Sequence, residues 1–223
     1  MKKTKLQAHR GVSCEYPENT MPAFQASVIQ GYDIIELDPA VTRDCKIVVL
    51  HDSLINRTAR LSDGSPVHDK ICISDITYEE ALKYDFGLYL SQKFGNTKIP
   101  LLSDVLKLAA ENNIRIKIDN KIQSFTAGSL EKLFSLLDGS TAEITCSSIE
   151  FAKKVIDRFP KMHVHYDGEV NEEALKQLSE FVPKSSLTVW LPFKCKTTEW
   201  VKVPFCNDEL SHMIKQYAHL GIW

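Results

Sequence analysis

Short apolar runs rich in β-branched residues alternate along this chain with amphipathic stretches. No other feature restricts its fold as much. The runs Leu6–His9, Asp33–Val41 with Lys46–His51, Ile114–Asp119, Glu143–Ser147, Met162–Tyr166 and Leu187–Leu191 predict strands, and a last one starts at Gly221. Between them, helical spacing of apolar residues predicts helices over Pro22–Gln30, Leu101–Glu111, Ile149–Phe159, Glu172–Phe181 and Asp208–His219. Ser103 is the expected N-cap of the second, and Ser147 or Ser148 of the third. Strand and helix in such alternation imply parallel strands joined by crossover helices. A doubly wound sheet and a barrel both meet that description. No G-x-G-x-x-G follows the first strand, which argues against a dinucleotide-binding sheet. The expected fold is α/β, a TIM-type (β/α)8 barrel in a single domain over residues 1–223.

Two departures from a regular barrel are expected. Residues 53–98 are polar and turn-rich, with Asp63-Gly64-Ser65-Pro66 and a helical piece near Tyr78–Tyr84, and read as an insertion after strand two covering one mouth. A complete barrel takes about 250 residues. This chain has 223 and stops at Gly221-Ile222-Trp223, inside what looks like strand seven. The expectation is a barrel incomplete at its C-terminus, with unpaired edges that favour poor stability or edge pairing into a homo-oligomer.

Charge and cysteine usage limit the partners. With 27 basic and 29 acidic residues the net charge is −2, giving no electrostatic case for nucleic acid or a membrane surface. The basic start Met1-Lys2-Lys3-Thr4-Lys5 is followed by polar Leu6-Gln7-Ala8-His9-Arg10 rather than the apolar core of a signal peptide. No run approaches the roughly 20 apolar residues of a membrane span. Six cysteines (Cys14, Cys45, Cys72, Cys146, Cys195, Cys206) stand singly with no C-x-x-C pair. Reduced thiols and a cytoplasmic location are expected.

Chemistry-bearing residues gather at the strand ends. Glu36 and Asp38 are two apart in Ile34-Ile35-Glu36-Leu37-Asp38, so a strand sends both carboxylates to one face. A divalent cation would relieve their repulsion and desolvation, and oxygen ligands favour Mg2+ or Ca2+. The alternative is a strand end where both are solvated or paired to arginine, and spacing alone does not choose. Ile116-Lys117-Ile118-Asp119-Asn120-Lys121 offers Asp119 as a third carboxylate and Lys121 for an anionic oxygen, although taken alone it reads as an exposed strand end. His9-Arg10-Gly11 closes the first strand, with Arg10 suited to phosphate, and His51-Asp52 closes the hairpin. Either histidine alone reads as a surface residue; the conjunction of His9, Arg10, Glu36, Asp38 and His51 suits acid–base catalysis beside a metal. Pro17-Glu18-Asn19-Thr20 reads as a helix entry capped by Asn19 or Thr20, and Arg57 as a loop anchor. His163 and His165 are two apart but lack an evident third ligand, so packing is the simpler reading. Trp190 is read as lining a substrate pocket or packing in the core, while His68, His212 and His219 fit no pattern.

The set His9-Arg10-Gly11, Pro17-Glu18-Asn19-Thr20, Glu36-Leu37-Asp38, His51-Asp52 and Asn56-Arg57-Thr58 resembles the glycerophosphodiester phosphodiesterase family. Asp85-Phe86-Gly87 and Ile99-Pro100-Leu101 resemble the stretch before that family's next helix. The likeness is specific over the first half and weaker beyond Asn120. It implies a (β/α)8 barrel related to phosphatidylinositol-specific phospholipases C and hydrolysis of small glycerophosphodiesters to sn-glycerol 3-phosphate and an alcohol. It makes Glu36, Asp38 and Asp119 ligands of Mg2+ or Ca2+, His9 and His51 the acid and base, and Arg10 and Lys121 substrate contacts. The nucleophile it implies is the substrate's own 2-hydroxyl. Two features depart from the family: Asp119-Asn120-Lys121 stands where Glu-x-Lys is usual, and the final Trp-Thr-Val-Asn-like strand and its successor are not complete. The alternatives are a related phospholipase-type phosphodiesterase and a truncated barrel that binds phosphodiesters without turnover.

Overall fold

A computed structural model describes residues 4–193 and 204–223, so Met1-Lys2-Lys3 and Cys195 lie outside the described residues. The chain forms two compact units, Met1–Ala142 and Glu143–Trp223.

In the first unit, β1 (Gln7–His9), β2 (Ile34–Leu37) and β5 (Arg115–Ile118) lie parallel with β2 in the middle, while β3 (Pro39–Val41) and β4 (Ile47–Val49) form an antiparallel hairpin. Burial explains the composition of the central strand. All four residues of β2 are buried, which demands apolar side chains except where chemistry needs otherwise. The expected run Asp33–Val41 breaks between Leu37 and Pro39, because the chain leaves the parallel sheet there and turns into the hairpin. Helix α1 (Met21–Ile29) carries Pro22 in its first turn and buries Ala23, Phe24, Ala26 and Ser27. Helix α3 (Leu102–Asn112) buries Leu102, Val105, Leu106 and Ala109, spaced as one helical face, and stops at Asn113 in the left-handed region (φ 50°). Its N-cap is Leu101, so Ser103 lies two residues too deep to cap it. Helix α4 (Ala127–Leu137), additional to the helices expected from sequence, is capped by Thr126 and buries Leu130, Leu133, Phe134 and Leu137.

Residues 53–98 hold one short α-helix, α2 (Tyr78–Ala81), which Thr77 and Glu80 start with a capping box, and three 3-10 turns at Ile55–Arg57, Ile73–Asp75 and Gln92–Phe94. Ile55, Ala59, Val67, Ile73, Ala81 and Phe86 pack with Val48, Leu50 and Ile99 into an apolar cluster. Buried Asp85 ties this segment together by accepting from the backbone N–H groups of Gly87 (2.8 Å), Leu88 (2.8 Å) and Asn96 (2.5 Å). Asp85-Phe86-Gly87 is thus a structural knot.

In the second unit, β6 (Ala142–Cys146), β7 (Val164–Tyr166), β8 (Leu187–Leu191) and β9 (His219–Ile222) run parallel in that order. Helices α5 (Ile149–Arg158), α6 (Glu172–Ser179) and α7 (Asp208–Tyr217) are each capped by a side chain, from Ser148, Asn171 and Asn207. The pattern expected helix to His219, but Ala218 is already extended and His219 opens β9. Register aligns Thr145, His165, Thr188 and His219 across the four strands. Trp190 pairs with Gly221, where a Cβ would come within 2.5 Å of the indole, so only glycine lets that ring lie over β9. Among the described residues, no helix is long and apolar enough to cross a membrane.

Candidate active site

Strand register assembles the site. His9, Glu36 and Lys117 are cross-strand partners on β1, β2 and β5, so they form one row on a shared face. Asp38 follows two residues after Glu36, and Asp119 follows β5, anchored by its N–H to the Leu37 carbonyl (3.0 Å). One carboxylate oxygen from each of Glu36, Asp38 and Asp119 lies within 4.8 Å of the others. The three acids expected to converge do so.

Their electrostatics are strained. Glu36 and Asp38 are buried, at 3% and 2% exposure. Burial, with Asp38 and Asp119 as like charges, pushes the Glu36 carboxyl up to about 8, against an opposing pull from Lys117. Asp38 is instead held below the usual carboxylate range: burial opposes ionisation, but Lys121 and Asn19 outweigh it. Lys121 Nζ donates to Asp38 Oδ1 (2.7 Å) and to the His51 carbonyl (2.6 Å), while Asn19 Nδ2 donates to Asp38 Oδ2 (2.8 Å). Lys121 therefore braces the acid cluster in this structure, a more specific placement than the open phosphate contact expected of it. In sequence Asn19 reads, with Thr20, as a helix cap, yet it donates to the buried Asp38 carboxylate. Thr20 occupies the N-cap position without a side-chain cap bond, its hydroxyl donating to the Pro17 carbonyl instead.

The β1 exit is shaped by two consecutive left-handed residues, Arg10 (φ 59°) and Gly11 (φ 78°). A Cβ at Gly11 would lie 2.7 Å from that of Ala23, so glycine is required on two counts. This turn points the Arg10 N–H at Glu36 Oε2 (3.0 Å) and brings its guanidinium Nε to 3.4 Å from Asp38 Oδ2. His9 Nε2 lies 3.8 Å from Glu36 Oε2. The surrounding protein, followed by the positive charge of Arg10, lowers the His9 pKa, although 65% of its side chain remains exposed.

His51 is oriented by its neighbour. Its Nδ1 lies 2.6 Å from Asp52 Oδ1, and Asp52 Oδ2 accepts from Arg57 Nε at 2.5 Å. Arg57 then grips both oxygens of Glu18 at 2.7 Å, and Arg10 Nη1 donates to Glu18 at 3.1 Å. A chain of ion pairs, Glu18–Arg57–Asp52–His51, thus ties the Pro17–Thr20 loop to the second histidine. The sequence offered Arg57 as a loop anchor, which matches; the continuation to His51 needed coordinates.

Three carboxylates with two adjacent imidazoles and two cationic side chains fit a hard divalent cation and a phosphate ester. The sequence pattern of the Glycerophosphoryl diester phosphodiesterase family matches residues 9–133. The uncharacterized protein YqiK of Bacillus subtilis is 40% identical over 118 residues, which are 53% of this chain and 45% of that protein. A glycerophosphodiester phosphodiesterase of Bacillus altitudinis is 38% identical over 125 residues, 55% of this chain and 48% of that one. The chain thus spans about half the length of the curated relatives it matches. A crystallised phosphodiesterase of Oleispira antarctica, bound to the product sn-glycerol-3-phosphate, superposes with a TM-score of 0.70 at 16% identity. That match covers 98% of this chain and 92% of the other, and extends the common α/β barrel-like fold well beyond the matched sequence.

Proposed function

The chain belongs to the glycerophosphoryl diester phosphodiesterase family, and from that premise we propose that it hydrolyses glycerophosphodiesters to sn-glycerol 3-phosphate and an alcohol with a divalent cation. The observation that carries this reading is the meeting of Glu36, Asp38 and Asp119 within 4.8 Å, with His9 beside Glu36.

The donor set fits a cation on its own chemistry. Desolvated like charges drive Glu36 to hold a proton near pH 8, and a doubly charged ion removes that penalty. Glu36, Asp38 and Asp119 would hold it, and oxygen-only ligation favours Mg2+ or Ca2+. When bound, such an ion supplies positive charge that offsets charge developing on the phosphate.

The remaining work falls to the chain's own groups. Arg10 and Lys121 stand at Asp38 and bring positive charge to where a phosphate would sit. His9, whose protonation is disfavoured by burial and by the charge of Arg10, accepts the proton of the attacking hydroxyl. As general acid His51 carries a proton on both ring nitrogens: Nδ1–H donates to Asp52, which fixes the ring, and the Nε2 proton passes to the leaving alkoxide. The cytoplasmic location inferred from the sequence belongs to this same reading. The test is release of glycerol 3-phosphate from glycerophosphocholine by chelator-treated protein on adding Mg2+ or Ca2+. No release with either ion, or full activity after His51→Ala, overturns the proposal.

A further inference from the structure

The second unit carries metal-ligating side chains that this chemistry does not use. Glu143 on β6 and His165 on β7 are buried, and His163 one row below is half-buried on the same face. One ligand atom from each lies within 4.8 Å of the other two. His165 Nε2 is 2.8 Å from Glu143 Oε2, and Trp190 Nε1–H donates to His165 Nδ1 at 2.9 Å. An indole can only donate, so Nδ1 is the acceptor and the proton of neutral His165 sits on Nε2, aimed at Glu143. Nearby on that face, Thr145 is 1% exposed and its hydroxyl oxygen has no hydrogen-bond partner among the described residues. Glu143 is the third ligand that the His-x-His spacing lacked in sequence, because it comes from the neighbouring strand.

We infer that Glu143, His163 and His165 form a second cation site, selective for zinc-like first-row divalent ions. Two imidazoles and one carboxylate are a zinc donor set, whereas the three carboxylates of the first unit suit harder ions. Zinc bonds of about 2.0–2.2 Å set tetrahedral ligand atoms about 3.4 Å apart, so His165 Nε2 and Glu143 Oε2, 2.8 Å apart here, separate slightly to admit the ion. Occupation also moves one proton. The ion takes the His165 Nε2 lone pair, the proton there is replaced through solvent by one on Nδ1, and Trp190 loses its acceptor. Water or the Thr145 hydroxyl completes the coordination. Ion binding is therefore visible at Trp190.

The test is calorimetric titration of chelator-treated full chain with Zn2+ in excess Mg2+. One equivalent should bind, survive Asp38→Asn, disappear in His163→Ala and weaken about 10-fold or more in Glu143→Gln. Tryptophan fluorescence should respond in the parent chain and not in Trp190→Phe. Zinc binding that persists unchanged in His163→Ala, or that disappears in Asp38→Asn, overturns the inference. Should His163→Ala fail to fold, imidazole 15N resonances of the parent chain decide: His163 and His165 must shift with Zn2+, and unmoved resonances reject the site.

Discussion

The two clusters of ligating side chains are built by the same device, residues two apart on one strand meeting a residue from the next strand, yet they differ in charge. The strand-end cluster concentrates three carboxylates, and its Glu36 is driven to hold a proton until about pH 8. The cluster of the second unit sets one carboxylate against two imidazoles, and each ring of its His163–His165 pair finds a neutral or complementary partner: Thr188, Glu143 and Trp190. The first carries a desolvation and repulsion cost. The second has its histidine and glutamate groups hydrogen-bonded. What separates them is the sum of charges placed on a face, since strand geometry treats both alike.

That contrast can be broken by substitution. The largest expected effect is on the first cluster: Asp38→Asn removes one ligand charge and the anchor of Lys121. It should lower kcat/KM on glycerophosphocholine by about 10³ or more, while circular dichroism remains that of the folded chain. In the second cluster, His165→Leu takes away the donor to buried Glu143 and should cost about 3 kcal/mol of stability. Thermal melting should fall by about 6–12 °C, with kcat within twofold. A variant that kept its Tm and lost turnover would erase the distinction drawn between the clusters.

Smaller changes sharpen it. Asp52→Asn frees the His51 ring to take either tautomer and should lower kcat by about 10-fold with little change in KM. Steady-state kinetics separates the two. The finest test is pH. In metal-free protein Glu36 keeps a proton up to about pH 8, whereas unfolded chain releases it near the ordinary 4.5. The folded state binds more protons in that window, so stability falls as pH rises from about 4.5 to 8 and levels off above. Saturating Mg2+ should flatten that slope, as should Glu36→Gln; a steep slope persisting in Glu36→Gln assigns it to another group.

Much of the catalytic candidate set was legible because its parts lie in short, rigid segments. Glu36 and Asp38 declare a shared face by their spacing, and Leu187–Leu191 is a strand from end to end as its composition required. Boundaries failed where a tertiary contact intervened. Asn19 reads as a cap until Asp38 stands opposite it, and Arg57 reads as an anchor until Asp52 and His51 complete the chain. Helix α4 is hard to read from sequence although Leu130, Leu133, Phe134 and Leu137 follow helical spacing, because Thr126 is a weak start signal by itself.

By itself the sequence determined which side chains share a strand face, since a period of two is a property of the extended backbone. It also determined the family, through motifs lying within a few residues of one another. Only the tertiary structure decided which faces meet: that Glu143 joins the His163–His165 pair, that Lys121 settles on Asp38, and that Gly221 leaves room for Trp190 to reach His165. Those pairings depend on the register between strands separated by 20 or more residues, which packing fixes and local spacing does not encode.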